Sequence, residues 1–471
     1  MVKYDFFEDL NAPSLAVPES ERAWPHLREA LLELDFQDQG SLPELLDALD
    51  EGIDQDWVIE WFARHELELG GIRDALARER LGFIHVFGVP QDDDRLILLT
   101  GFEQDEALSL PSPAVGPDDF KNHLSLEYEN RLTTLPRILS RILLDHAKRA
   151  ARSGDFKSTV ADIIASLDLA RLVGQDRMLM SQLVGYAVRS LTYATLLEVM
   201  SDPAMRPEHA ALDELARQLE NPRHVPGEID LFGERGIIRD LIQRLYSDDG
   251  DGDGVLLLSE FIPFSGVAGT QLPRVFVTEA FRPFLSPVVS SLADSRAEVE
   301  DAAEQAFQAA ESLQSQQSWE LDWTAHDAIF SRIDLNSSMF HLFPLPLVLP
   351  SFEAMILRSH DIRFQFEFAR LLVALHRYEA REGRWPQQLQ ALVPDFISEI
   401  PRDPYDGEAL RYRLVDEGPM LWSVGPDRID QSGVSSNEKV LPGLRLERDD
   451  VLSPPAGEDL VLWPLTGMSP D

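Results

Sequence analysis

Asp249, Asp251 and Asp253 stand on alternate residues of a glycine-rich stretch, and Glu260 follows seven residues after the last of them. Carboxylates spaced this way on a tight loop converge on one point, and left uncompensated they repel one another. A divalent cation removes the conflict. Calcium loops of twelve residues take hard oxygen ligands from positions 1, 3, 5, 7, 9 and 12, with glycine at position 6. Here those are Asp249, Asp251, Asp253, the backbone carbonyl of Val255, Leu257 through a water, and Glu260, with Gly254 at the turn. Ca²⁺ tolerates six to eight oxygens in flexible geometry and suits the site better than Mg²⁺. A structural Ca²⁺ ion is therefore the chemistry this stretch predicts; the plain alternative is a solvated Asp/Gly turn.

The elements around the loop fit that role. Leu256 takes the place of the usual inward-facing aliphatic residue, and residues 234–246 carry apolar side chains at helical spacing and run straight into the acidic run. The exit differs, because Pro263 interrupts any helix within a turn of Glu260. The pattern is an EF-hand-like loop with one good helix, not a paired sensor hand that opens a groove.

A chain of 471 residues, 44% of them hydrophobic, can bury a substantial core and is long enough for several domains. Its net charge of −40 argues against a nucleic-acid partner, whose phosphates it would repel. The absence of cysteine excludes disulfides, thiol catalysis and cysteine-ligated metal sites. No stretch reaches the roughly 20 apolar residues needed to cross a bilayer, and the first residues lack the basic and apolar regions of a signal peptide.

Read in order, the chain is expected to be mainly α: a multi-helical body, a small α+β C-terminal module, and a minor β-hairpin near residues 83–100. Three regions are expected: 1–117, mixed helical and hairpin; 118–352, helical and containing the loop; and 353–471, the module. Short amphipathic helices should cover 18–34, 42–49, 57–69 and 72–80, with Pro25 able to split the first and breaks at Gly52 and Gly70-Gly71. Residues 162–173 and 178–200 have apolar faces too wide for surface helices and should pack as a hairpin, with Gly154 and Gly174 as punctuation. Residues 287–317 read as one long helix with an alanine-rich face. Trp319, Trp323, Phe330, Phe340, Phe343 and Phe352 form an aromatic-dense segment, either a partner patch or packing between domains.

The C-terminal region carries a longer pattern. A helix ends at Gly383 before a Trp385-Pro386 corner, a short helix begins at Leu389, the turn Pro401-Arg402-Asp403-Pro404 follows, and residues 410–413 and 420–427 read as two strands running into an acidic loop. From 363 to 451 this resembles the globular part of the major pseudopilin of type II secretion systems. The resemblance implies a second calcium loop with Asp427 and Asp430 as ligands, and Asp449 or Asp450 as a later one. Three departures stand out: Tyr405-Asp406-Gly407 replaces the family's Trp-Gly-Asn, the glycine-rich loop is diluted, and an insertion separates Asp430 from Asp449. Together with the opening residues and the acidic loop, the module also resembles a group of membrane-anchored planctomycete proteins. That implies an extracytoplasmic place at the cell envelope, with a possible membrane anchor outside this chain.

No nucleophile elbow, His-Glu-x-x-His or phosphate-binding glycine loop occurs, and His376 reads as an ordinary helix histidine. No catalytic residue is assigned. The expectation is a calcium-stabilised structural or protein-interaction protein with a protein partner. The alternatives are an accessory component of a secretion or pilus-like apparatus, or a hydrolase whose site is assembled from distant residues. The hydrolase would show a deep polar pocket with close carboxylates of raised pKa.

Overall fold

The computed structural model describes residues 4–34, 42–51, 56–85, 131–248 apart from 203 and 206, 254–257, 259, 282–333, 340–349, 352–433 apart from 416 and 417, and 459–463. The chain is mostly helical, with a small antiparallel sheet near the C-terminus among the described residues, as the patterning predicts. Helix α1 (Phe6–Leu15) starts on Asp5, whose Oδ1 accepts the Phe7 and Glu8 N–H groups at 3.2 and 3.1 Å. Helix α2 (Ala23–Glu33) is not split by Pro25, which lies in its first turn, where a missing N–H removes no helical bond.

Helices α3 (Leu42–Glu51), α4 (Asp56–Arg64) and α5 (Glu66–Leu76) follow. The expected break at Gly70-Gly71 is absent, and the chain turns at His65 instead, whose ring Nδ1 contacts Trp61 O at 2.9 Å. Gly71 lies where α5 meets α2: a Cβ on it would touch Ala30 Cβ at 3.6 Å. Packing against a neighbour thus outweighs the weak helix propensity of two glycines, roughly 1 kcal/mol each.

The expected hairpin is present as α7 (Phe156–Val173) and α8 (Leu179–Ser201), preceded by α6 (Leu135–Ser153). Gly154 ends α6 in the left-handed region at φ +82°, where a side chain would be strained. Helices α7 and α8 are buried on most of their circumference because apolar clusters lie on two sides. One joins α2–α5 to α6–α8 through Leu27, Trp61, Ile72, Leu143, Leu172 and Val184. The other contains Tyr193, Leu241, Phe307, Phe352, Phe368 and Leu421.

Helices α9 (His209–Leu219) and α10 (Phe232–Leu245) lead to the acidic loop, and α11 (Arg282–Leu292) and α12 (Arg296–Ser315) follow it. The single helix expected over 287–317 is therefore two. Ser295 and Glu298 cap α12 reciprocally, with Ser295 N–H on Glu298 Oε2 at 2.8 Å and Glu298 N–H on Ser295 Oγ at 3.3 Å, and this sets its start. After α13 (Thr324–Ile333) and α14 (Leu345–Val348) comes the long α15 (Phe352–Glu382). Trp323, Phe340, Phe343 and Phe352 are buried, so these members of the aromatic segment are core packing.

Strands β1 (Arg411–Val415), β2 (Gly418–Ser423) and β3 (Leu460–Trp463) form an antiparallel sheet in the order β1-β2-β3. Arg411 pairs with Trp422, and Leu421 with Trp463 across a register shift. The third strand was not foreseen. Of the hairpin expected near 83–100, residues 83–85 are described and form no strand, and the rest lies outside the described residues. Among the described residues no helix is long and apolar enough to cross a membrane.

Candidate metal centre

The mouth of the acidic loop is built by its two flanks. Tyr246, just past α10, and Leu256 form an antiparallel bridge. Ser247 N–H donates to Val255 O at 3.0 Å and Leu257 N–H to Leu245 O at 2.8 Å, while Val255 N–H donates to Ser247 Oγ at 2.9 Å. The two ends of the run are thereby held side by side. Leu256 is fully buried, as its inward role requires. Gly254 is demanded by close approach: a Cβ there would lie 2.0 Å from Ser247 O.

Three bonds fasten this mouth to its surroundings. Arg296 N–H, in the first turn of α12, donates to Gly254 O at 2.8 Å. Ser290 of α11 donates to Leu256 O at 3.1 Å, and Tyr246 Oη donates to Phe343 O at 2.7 Å. Burial, followed by the nearby Asp294 charge, pushes the Tyr246 phenol well up, so the donor stays protonated. Of the predicted ligands, Val255 and Leu257 are described, and the Val255 carbonyl accepts Ser247 N–H and keeps one further lone pair. Asp249, Asp251, Asp253 and Glu260 lie outside the described residues.

In the C-terminal module, Asp427 and Asp430 are both described, whereas Asp449 and Asp450 are not. Asp427 Oδ1 accepts Ile429 N–H at 3.0 Å and its Oδ2 accepts the Gln431 amide at 2.9 Å. Asp430 Oδ1 accepts Trp422 Nε1 at 3.0 Å and Ser432 N–H at 2.8 Å. Among the described residues no three or more acidic or histidine side chains are placed so that they could hold a metal ion.

Three structural carboxylates were missed in the sequence. Asp403, fully buried, accepts Tyr405 N–H at 3.0 Å and Ser423 Oγ at 2.9 Å on one oxygen, and Val424 N–H at 2.9 Å and Arg411 Nη1 at 3.2 Å on the other. Burial still outweighs these bonds and raises its pKa. Asp459, also fully buried, accepts Gln431 N–H at 3.2 Å and Gly433 N–H at 2.6 Å. Asp406 grips Arg411 with both oxygens. Burial works to raise the Asp406 carboxyl, but the Arg411 pair prevails and its pKa is lowered.

Two more charged clusters lie in the helical body. Asp162, fully buried on α7, accepts Arg73 Nε at 2.7 Å, and its other oxygen faces His146 Nδ1 at 2.6 Å; Arg73 also donates to Glu66 at 2.8 Å. These contacts tie α5 to α6 and α7. Asp168 gathers Arg171 Nε at 3.1 Å, His224 Nε2 at 3.2 Å and the Arg223 guanidinium. Arg171 continues to the carbonyls of Arg78 and Glu79 at 2.6 and 2.9 Å, just beyond the end of α5. Burial would raise the Asp168 carboxyl, yet the bonds from His224 and Arg223 and the Arg171 charge bring it below its usual range. Their sequence separation, 89 residues for Arg73 and Asp162 and 93 for Arg171 and Arg78, leaves no local signature.

Compared with known proteins, the chain matches no family model, no curated protein and no solved structure.

Proposed function

We propose that this protein is a calcium-stabilised, extracytoplasmic structural or protein-interaction protein of the cell envelope. The supporting observation is the closed mouth of the loop, with Tyr246 bridged to Leu256 and Gly254 where only glycine fits. Asp249, Asp251, Asp253 and Glu260 would hold the ion, with the Val255 carbonyl and a water at Leu257 completing its shell. Neutralising four carboxylates there would strengthen the junction of α10, α11 and α12 through the bonds at Gly254 and Leu256. The charged clusters at Asp162 and Asp168, each used to tie helices together, give the scaffold reading further support. The extracytoplasmic location rests on the combined resemblance of the opening residues, the acidic loop and residues 363–451 to membrane-anchored proteins, and extracellular calcium modules of this kind work at about 10⁻⁴–10⁻³ M.

Calorimetric titration with Ca²⁺ tests the proposal. The wild-type chain should bind, and Asp251→Ala/Glu260→Ala should lose that binding; an unresponsive wild type, or an equally tight variant, would overturn it. A second reading, an accessory component of a secretion or pilus-like apparatus, draws support from the order of long helix, proline corner and antiparallel sheet over 352–463. It predicts that the chain co-purifies with secretion components, and recovery of the chain free of them under crosslinking would count against it.

A further inference from the structure

We infer that the Arg411 guanidinium stands in for a divalent cation in the C-terminal module, so that the loop carrying Asp427 and Asp430 folds without calcium. The inference does not depend on the loop at 249–260. Arg411, on β1, turns its nitrogens toward three carboxylates, two from the turn at 403–406 and one from the loop after β2. Nη1 donates to Asp403 Oδ2 at 3.2 Å and Asp406 Oδ1 at 3.1 Å, Nη2 donates to Asp406 Oδ2, and Nε lies 4.0 Å from Asp430 Oδ2. Three converging acids are what a calcium loop supplies, but the centre of this group is a permanently charged, planar donor. A divalent ion placed beside it would bring like charges together in a partly buried site.

The second task of an ion, holding an irregular loop in shape, is also done from within. Asp459 gathers the N–H groups of Gln431 and Gly433, Asp427 those of Ile429 and the Gln431 side chain, and Asp430 those of Ser432 and Trp422. Asp403 then joins the turn at Tyr405 to the end of β2 at Ser423 and Val424. The bonds to Asp406 raise the Arg411 pKa further, so the cation is retained at every accessible pH. Asp427 and Asp430, two of the ligands that the pseudopilin resemblance implies, are thus already engaged as hydrogen-bond acceptors.

Two measurements on the full chain test this. First, equilibrium Ca²⁺ binding is compared between wild type and Asp427→Asn/Asp430→Asn. The same number of ions at the same affinity is expected, and loss of one bound ion in the variant would overturn the inference. Second, thermal unfolding in EDTA is followed for Arg411→Gln. A fall in melting temperature on the order of 5 °C is expected, since two buried or half-buried carboxylates lose their counter-charge. An unchanged melting temperature would overturn the role given to the guanidinium. Should Arg411→Gln fail to fold, Arg411→Lys keeps the charge without the fork and should show a smaller drop, and the first measurement stands by itself.

Discussion

Asp361 lies on α15 with 3% of its surface exposed. Its Oδ2 accepts Arg358 Nη1 at 2.8 Å, but Oδ1 makes no hydrogen bond of normal length. Burial pushes its pKa from 3.8 up to about 6, and the Gln365 amide and the half-exposed Arg358 only partly offset that. A displacement of about two units corresponds to roughly 3 kcal/mol. The folded state binds this proton more tightly than the unfolded state does. The associated stability is therefore fully present below about pH 4, and is lost as pH rises through about 6. Asp361→Asn removes the titration. Allowing up to about 1 kcal/mol for the lost contact with Arg358, the variant should be more stable by about 2 kcal/mol near pH 7.5. Near pH 4 it should match the wild type. Urea unfolding of both proteins across this range measures the difference directly. A difference that stays flat from pH 4 to 7.5, or a variant weaker than wild type at pH 7.5, would refute the reasoning.

Other substitutions probe the remaining contacts. Asp168→Asn leaves Arg171, Arg223 and His224 around an uncharged amide and should cost about 3–5 kcal/mol in denaturant unfolding. Because the Asp168 pKa is lowered, its contribution should hold above its ordinary value of 3.8 and disappear as pH falls below it, so the gap between wild type and variant should close in acid. Ser295→Ala removes the reciprocal cap of α12 and should cost about 1 kcal/mol, with faster amide exchange in the first turn of that helix.

Much of the helical body was legible in the sequence because its signals are local. Gly154 marks the end of α6, and the wide apolar faces of α7 and α8 announce burial on both sides. Where the reading failed, a tertiary or reciprocal contact decided the outcome. Gly70-Gly71 stays helical because α5 packs on α2, and residues 287–317 divide because Ser295 and Glu298 cap a new start. That capping box was visible as Ser-x-x-Glu but was hidden by the continuous alanine-rich periodicity around it. Strand β3 is only four residues long and finds its partner about 40 residues back, so it carries little local pattern. The candidate ion loop was readable position by position. The arginine at the centre of the second acidic group was not, because Asp403, Asp406, Arg411 and Asp430 converge only once β1, β2 and the neighbouring turns have formed.

The most direct test of the account is thermal unfolding of the whole chain in EDTA and in millimolar Ca²⁺, alongside Asp251→Ala/Glu260→Ala. An ion at 100 times its dissociation constant adds about 2.7 kcal/mol to the folded state, enough to raise the melting temperature by a few degrees. A Ca²⁺-specific rise that Mg²⁺ does not reproduce and the double variant lacks is the predicted result. No rise in the wild type, or an equal rise in the variant, would contradict it and leave the stretch from Asp249 to Glu260 as a solvated turn.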